Sequence, residues 1–128
     1  MEYVRLLKVQ KKYFPKIIKE LKENGRKMSH WNWYVFPNTY IGNDPLKTKV
    51  ENDNKYLEEF LSLADPKWIE ILTLISDIID RNGMKWSGCM PVVDHNRMEQ
   101  SINFWLSKPF INNFIDFKNA LKRLKNQK

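Results

Sequence analysis

The chain has 128 residues, of which 42% are hydrophobic and 29% are charged, and its formal net charge is +7. This composition argues against disorder, and there is no apolar run near the roughly 18 residues of a membrane span and no signal-peptide core. We therefore expect a single all-helical domain, residues 1–128, in a soluble cytoplasmic protein. Cys89 is the only cysteine, which fits a reducing compartment because no internal disulfide can form.

The positive charge is concentrated at the two ends of the chain. Residues 1–28 contain nine Lys and Arg against three Asp and Glu, and residues 117–128 contain five against none. Residues 29–116 contain eight against twelve, a net charge of −4. Such basic ends have two interpretations: a lysine-rich helix surface exposed to solvent, or a surface that binds nucleic-acid phosphates. Because Lys outnumbers Arg, the residue that binds phosphate in a bidentate manner, we expect nucleic-acid binding to be weak.

Apolar spacing predicts two helices before the first glycine. The first covers residues 2–10, and the second has Pro15 in its first turn and ends at Asn24-Gly25. An aromatic segment, residues 25–37, follows. Within it, residues 31–36 can form one short extended piece, which by itself makes no sheet.

The middle of the chain predicts a loop and two further helices. Residues 38–50 are rich in Gly, Asn, Asp and Pro and predict the loop, while residues 51–63 carry apolar side chains spaced for one buried face. Asp65 as an N-cap and Pro66 at the first helical position predict the start of the fourth helix, which ends at Gly83. This helix is apolar around much of its girth, so we expect it to be central.

The last third predicts a second loop and two more helices. Residues 84–93 form the loop, Asp94 can cap a fifth helix, and Lys108-Pro109 breaks it before a last helix begins near Phe110. The fold class predicted from these elements is all-α, a compact bundle of about six helices.

The segment from Gly25 to Pro37 is the most distinctive part of the sequence. It reads Gly-Arg-Lys-Met-Ser-His-Trp-Asn-Trp-Tyr-Val-Phe-Pro, and four aromatic rings lie within six residues of it. Such a run either fills a core from several directions or lines a pocket. His30 in this segment is either a hydrogen-bonded structural group or an acid/base or ligand-binding residue.

This segment resembles the signature of the domain-of-unknown-function 1810 family, G-[RK]-K-x-[ST]-H-W-x-W-[FY]-x-F-P. Residues 94–105 are similar to the family's D-x-x-K-L-x-S-S-x-T-L-F segment: Asp94 and Ser101 match outright, whereas Gln100 and Asn103 stand where the pattern has Ser and Thr. The matches by type are Arg97, Met98, Phe104 and Trp105. The resemblance implies a mainly α-helical fold and no particular activity.

We expect the two segments to meet in one site. On a helix, Asp94, Arg97 and Ser101 share a face at spacings of i, i+3 and i+7, and polar groups on an otherwise apolar helix need partners or solvent. We therefore expect His30 to lie within about 10 Å, one helix diameter, of this face. The predicted ligand-binding residues are Lys27, Ser29, His30, Trp31, Trp33, Asp94, Arg97 and Ser101.

Three functions are compatible with such a site. The first is a binding module for a small molecule or protein segment, whose aromatic walls stack a planar or nucleotide-like group. The second is an enzyme acting on a nucleotide-like molecule, with His30 as acid or base and Asp94 orienting it or a substrate hydroxyl. The third is a weakly nucleic-acid-associated protein that uses its basic ends.

The sequence predicts no cofactor and no metal site. Two histidines and one cysteine provide no zinc-ligand spacing, and the glycines stand alone rather than in a phosphate-binding loop. Cys89 and His95 lie six residues apart across a predicted loop–helix junction, and we interpret them as unrelated rather than as a nucleophile and its base.

Overall fold

The structure, a computed structural model, describes residues 2–39, 42, 44–83 and 85–128, and this part of the chain contains six α-helices and no strand. The helices are α1 (Glu2–Asn24), α2 (Asn32–Val35), α3 (Asn54–Leu63), α4 (Lys67–Asn82), α5 (His95–Leu106) and α6 (Ile115–Lys125). The all-α prediction of a compact six-helix bundle is confirmed. Asn43 in the first predicted loop and position 84 in the second lie outside the described residues.

α1 is one helix where the sequence predicts two. Pro15 lies inside it and is exposed, so the ring cannot donate one backbone hydrogen bond of the helix. A proline in a helix interior costs about 3 kcal/mol, but the apolar face continues across it through Leu6, Phe14 and Leu21, all buried against the core. Packing of this face on α3 and α4 holds the two halves in line. The prediction of a break at Pro15 is therefore wrong.

α4 is the central helix, as predicted, because it contacts α1, α2 and α6. Its buried residues include Ile71, Leu72 and Ile75, none of which is accessible to solvent. The predicted end is confirmed, since Gly83 ends the helix with φ of +62°. The start lies one residue later than predicted: Pro66 is the N-cap, and the Asp65 carboxylate before it accepts a hydrogen bond from the Lys67 N–H at 2.9 Å.

α5 starts at His95 with Asp94 in the N-cap position, as predicted. Asp94 also ends a 3-10 turn, Val92–Asp94, and its side chain makes no capping hydrogen bond to α5. Only the predicted capping bond is missing, because the carboxylate instead pairs with Lys27 of the aromatic segment. The last helix starts at Ile115 rather than near Phe110, since a further 3-10 turn, Ile111–Asn113, comes first.

None of the helices in the described part of the chain has the length and apolarity needed to cross a membrane.

Candidate functional site

The aromatic segment folds around α2, a helix of only four residues. The prediction of an extended piece over residues 31–36 is wrong, because the N–H of Phe36 bonds to the carbonyl of Asn32 at 2.8 Å and closes a helical turn. A helix leaves its last four carbonyls without partners inside the helix, so in such a short helix nearly every carbonyl needs an outside donor. Because these residues are buried, their carbonyls cannot bond to bulk water, so each requires a donor from the protein.

Side chains from three other helices supply those donors. Four consecutive carbonyls, those of residues 34–37, each accept one side-chain hydrogen bond. The bonds run from Gln10 Nε2 to Tyr34 O (2.9 Å), from Trp68 Nε1 to Val35 O (2.8 Å), from Arg97 Nε to Phe36 O (3.0 Å) and from Ser101 Oγ to Pro37 O (2.8 Å). We call these four carbonyls and their donors the carbonyl cluster. Two of the predicted ligand-binding residues, Arg97 and Ser101, thus bind the backbone of the aromatic segment.

Lys27 and Asp94 join the two segments in a second way. Lys27 Nζ lies 2.6 Å from Asp94 Oδ2, and the side chains are only 6% and 13% exposed. The same ammonium lies 5.4 Å from the centre of the Trp31 ring, in a cation–π arrangement. The Lys27 N–H also donates to the Cys89 carbonyl at 2.9 Å. A largely buried ion pair of this kind fixes the loop before α2 against the start of α5.

Glu20 on α1 holds the same loop and was not predicted from the sequence. Its Oε2 accepts hydrogen bonds from the N–H groups of Met28 (2.9 Å) and Ser29 (3.2 Å) and from Trp31 Nε1 (2.6 Å). Burial alone raises the pKa of Glu20, but these bonds and one from the Ser29 hydroxyl outweigh it and leave the pKa lowered. An acid within a lysine-rich helix, five residues before Gly25, is the only sequence signal of this role.

Gln10 is the second residue that sequence reasoning missed. It is fully buried on α1, four residues after Leu6 and four before Phe14, so it interrupts the apolar stripe of that helix. A polar residue in such a stripe signals a buried hydrogen bond, although the sequence does not reveal its partner.

Five of the eight predicted residues fall into two groups. Lys27, Trp31 and Asp94 come together, while Arg97 and Ser101 reach the same segment at its carbonyls. Trp31 is 3% exposed and Trp33 is half-buried against the core. His30 and Ser29 are exposed, and no hydrogen bond among the described residues joins His30 to Asp94, because Asp94 is held by Lys27. The orienting contact of the acid/base hypothesis is thus absent from this part of the chain.

Cys89 and His95 make separate contacts. His95 Nε2 lies 3.0 Å from the carbonyl of Met90, and its ring packs edge-on against Trp86. Burial raises the pKa of the Cys89 thiol to about 12, so the thiol stays protonated at neutral pH and is a poor nucleophile. Within the described residues, no group of three or more His, Cys, Asp or Glu side chains is placed to hold a metal ion.

Exposed side chains lie on both segments that this framework joins. The Lys27–Asp94 pair places residues 26–30 beside the turn Val92–Asp94, in which Val93 is 87% exposed. Met28 and Val92 also expose most of their apolar side chains. We define the loop surface as the exposed residues Arg26, Met28, Ser29, His30, Val92 and Val93.

Replacing Glu20 by glutamine is expected to destabilise the protein by about 1–3 kcal/mol at pH 7, because the charged acceptor of three hydrogen bonds, one of them from the buried Trp31 ring, is lost. Since the folded-state pKa is lowered, the contribution of Glu20 is complete above its ordinary value near 4.5 and disappears as the pH falls through the lowered value. Urea unfolding at neutral and acidic pH should therefore show the two proteins converging in acid. Glu23→Gln, exposed one turn later, is the control; an equal loss there would refute the role of Glu20.

Comparison with known proteins agrees with the resemblance seen in the two segments. A model of the family described as "Protein of unknown function (DUF1810)" matches residues 1–123, nearly the whole chain. No curated protein and no solved structure gives a significant match.

Proposed function

We propose that the chain, which belongs to the DUF1810 family, is a binding module that holds an acidic and apolar segment of a partner protein on the loop surface. One observation carries this proposal: the backbone of residues 27–31 is held by contacts to α1 and to the turn before α5, among them the largely buried Lys27–Asp94 ion pair, whereas the neighbouring side chains remain exposed. A surface held rigid in advance loses little conformational entropy on binding, which favours affinity.

The chemistry of the loop surface indicates the kind of partner. Met28, Val92 and Val93 offer exposed apolar area, and methionine adapts its shape to different guests. Arg26 is exposed beside them, and a guanidinium binds a carboxylate through two parallel hydrogen bonds. A segment with Asp or Glu next to a large apolar side chain satisfies both features.

The position of the aromatic rings favours this partner over a nucleotide-like ligand. Trp31 is covered by protein, with Lys27 over its ring and its N–H bonded to Glu20, so its face is not offered for stacking. Trp33 is half-buried and packs against Tyr34. The hypothesis that His30 acts as an acid or base stays a prediction, as does weak nucleic-acid binding by the exposed lysines of α1.

Fluorescence anisotropy with labelled short peptides, in which Glu flanks Leu, Phe or Val, tests the proposal. We expect saturable binding that Arg26→Glu and Val93→Asp each weaken at least about tenfold, a loss of about 1.4 kcal/mol. Peptides with Gln in place of Glu should bind at least several-fold more weakly. The matched control is Val4→Asp, a similar change at an exposed apolar residue of α1 outside the loop surface.

Two results would overturn the proposal. One is unchanged peptide binding in both loop-surface variants. The other is tighter binding of DNA or RNA oligomers than of any peptide at about 200 mM salt, where contacts to phosphates alone are strongly weakened. The second result would make nucleic acid the main partner.

A further inference from the structure

A cleft lies between the beginning of α4 and the beginning of α6, away from the loop surface. Its volume is about 280 Å³. Its walls are mainly apolar, and the carboxylates of Asp65 and Asp116 lie among them. The apolar wall residues that matter here are Leu61, Ala64, Trp68, Ile69, Phe114 and Ile115. Ile115 is 53% exposed although it belongs to a cleft wall, so its apolar surface is not covered by the rest of the described chain.

The cleft continues into a shallower depression on each side. On the α1 side, the depression shares Ala64 and Asp65 with the cleft and also contains Lys8 and Lys11. On the α6 side, the depression shares Ile69 and Asp116 with the cleft. We call the three together the groove. It crosses the start of α4 from α1 to α6.

The dimensions of the groove favour an extended guest. Pockets that enclose a drug-sized ligand have volumes of about 300–1,000 Å³. The central cleft falls just below this range, so it suits one or two side chains rather than a whole cofactor. A continuous groove with one deeper central position is the shape that accommodates an extended peptide with an apolar anchor.

The charges along the groove select the sequence of that peptide. Asp65 and Asp116 give the centre a negative charge in a protein whose net charge is +7. Two cations line the flanking depressions: Lys67 on the α1 side, and Arg123 on the α6 side, where it is paired with Asp77 and Asp80. The starts of α4 and α6 each contribute only about half a positive charge, which does not cancel a full carboxylate. One oxygen of Asp65 caps α4, and within the described contacts the other oxygen is left for a guest. At the α1 end the exposed Lys8 and Lys11 favour an acid.

We propose that the groove binds an extended segment of a partner protein in which a large apolar side chain is followed by Lys or Arg and preceded by Asp or Glu. The apolar side chain enters the central cleft, its basic neighbour pairs with Asp116, and the acidic residue lies by the lysines of α1.

The groove is independent of the loop surface. It lies at the first residues of α4, whereas the loop surface lies near the last ones, where Asn82 bonds to Gly88 and the next residue, Cys89, accepts the N–H of Lys27. α4 has 16 residues, so the two surfaces are separated by about 24 Å along its axis. One surface can therefore be altered while the other is kept.

A labelled peptide containing two glutamates, a Gly-Ser spacer and a Leu-Arg pair is the probe for fluorescence anisotropy. We expect saturable binding that Asp116→Lys weakens about tenfold or more, and that Ile115→Ser weakens several-fold through lost apolar contact. The same peptide with Leu-Glu in place of Leu-Arg should bind the wild type poorly and recover affinity for Asp116→Lys. Val93→Ser, on the loop surface, is the matched control and should bind like the wild type.

Circular dichroism of each variant establishes that it is folded before binding is compared. The proposal is overturned if the wild type binds the Leu-Arg peptide without saturation, if Asp116→Lys leaves affinity unchanged, or if arginine amide alone competes as well as the peptide. Equal loss in Val93→Ser would place the peptide on the loop surface and also refute the groove. The charge-swap recovery distinguishes a failure here from a failure of the loop-surface proposal, which does not involve Asp116.

Discussion

Trp31→Ala is expected to lower the free energy of unfolding by about 3–5 kcal/mol, the usual cost of removing a buried tryptophan. The ring is 3% exposed, donates its N–H to Glu20 at 2.6 Å and lies beneath the ammonium of Lys27. Its loss therefore removes apolar packing and also leaves Glu20 with one donor fewer. Urea denaturation followed by circular dichroism measures this change.

Trp33→Ala is the matched control, since Trp33 lies in the same segment but is half-buried. We expect its loss of stability to be clearly smaller than that of Trp31→Ala. Losses under about 1 kcal/mol in both variants would show that the two rings are surface features. That outcome would revive the hypothesis that they stack against a ligand.

Arg97→Met is expected to cost about 1.5–3 kcal/mol, because the buried carbonyl of Phe36 loses a charged donor. Ser101→Ala should cost about 1–3 kcal/mol for the same reason at Pro37. The two carbonyls are adjacent, so the double variant should deviate from the sum of the single ones. Denaturation of the three variants forms the double-mutant cycle.

Asn103→Ala, an exposed change on the same helix, should stay within about 0.5 kcal/mol of the wild type. If Arg97→Met and Ser101→Ala were as neutral as this control, the carbonyl cluster would not stabilise the fold. Their polarity on α5 would then need another explanation, such as contact with a ligand.

The helices that the sequence predicts well are those whose signals are local. α3 to α6 each have apolar residues at helical spacing, and α4 also has Asp65-Pro66 just before its start and a glycine at its end. The break at Pro15 was wrongly predicted because the sequence shows only the local cost of a proline in a helix. The packing against α3 and α4 that outweighs this cost is a tertiary contact. Helix α2 was missed because a single turn has too few residues for periodicity to show.

The contact between the two segments was predicted in part, for a related reason, while a ligand site there stays a prediction. The sequence correctly indicates that Lys27 and Trp31 lie near Asp94, since polar groups on an apolar helix need partners. The identity of those partners depends on tertiary contacts that no local pattern encodes. From the sequence alone, Asp94 is interpreted equally well as an N-cap or as a site residue. Glu20 is interpreted as one surface charge among the lysines of α1.

The carbonyl cluster also determines when the aromatic segment can become ordered. Its four side-chain bonds join residues separated by 24, 33, 61 and 64 positions along the chain. Each requires the closure of a long loop, so the segment gains its bonds only after α1, α4 and α5 have docked, late in folding. Conversely, opening the segment alone leaves four buried side-chain donors without their acceptors at once. The amide hydrogens of residues 34–36 are therefore expected to exchange with solvent through unfolding of the whole bundle, and they report on global rather than local stability.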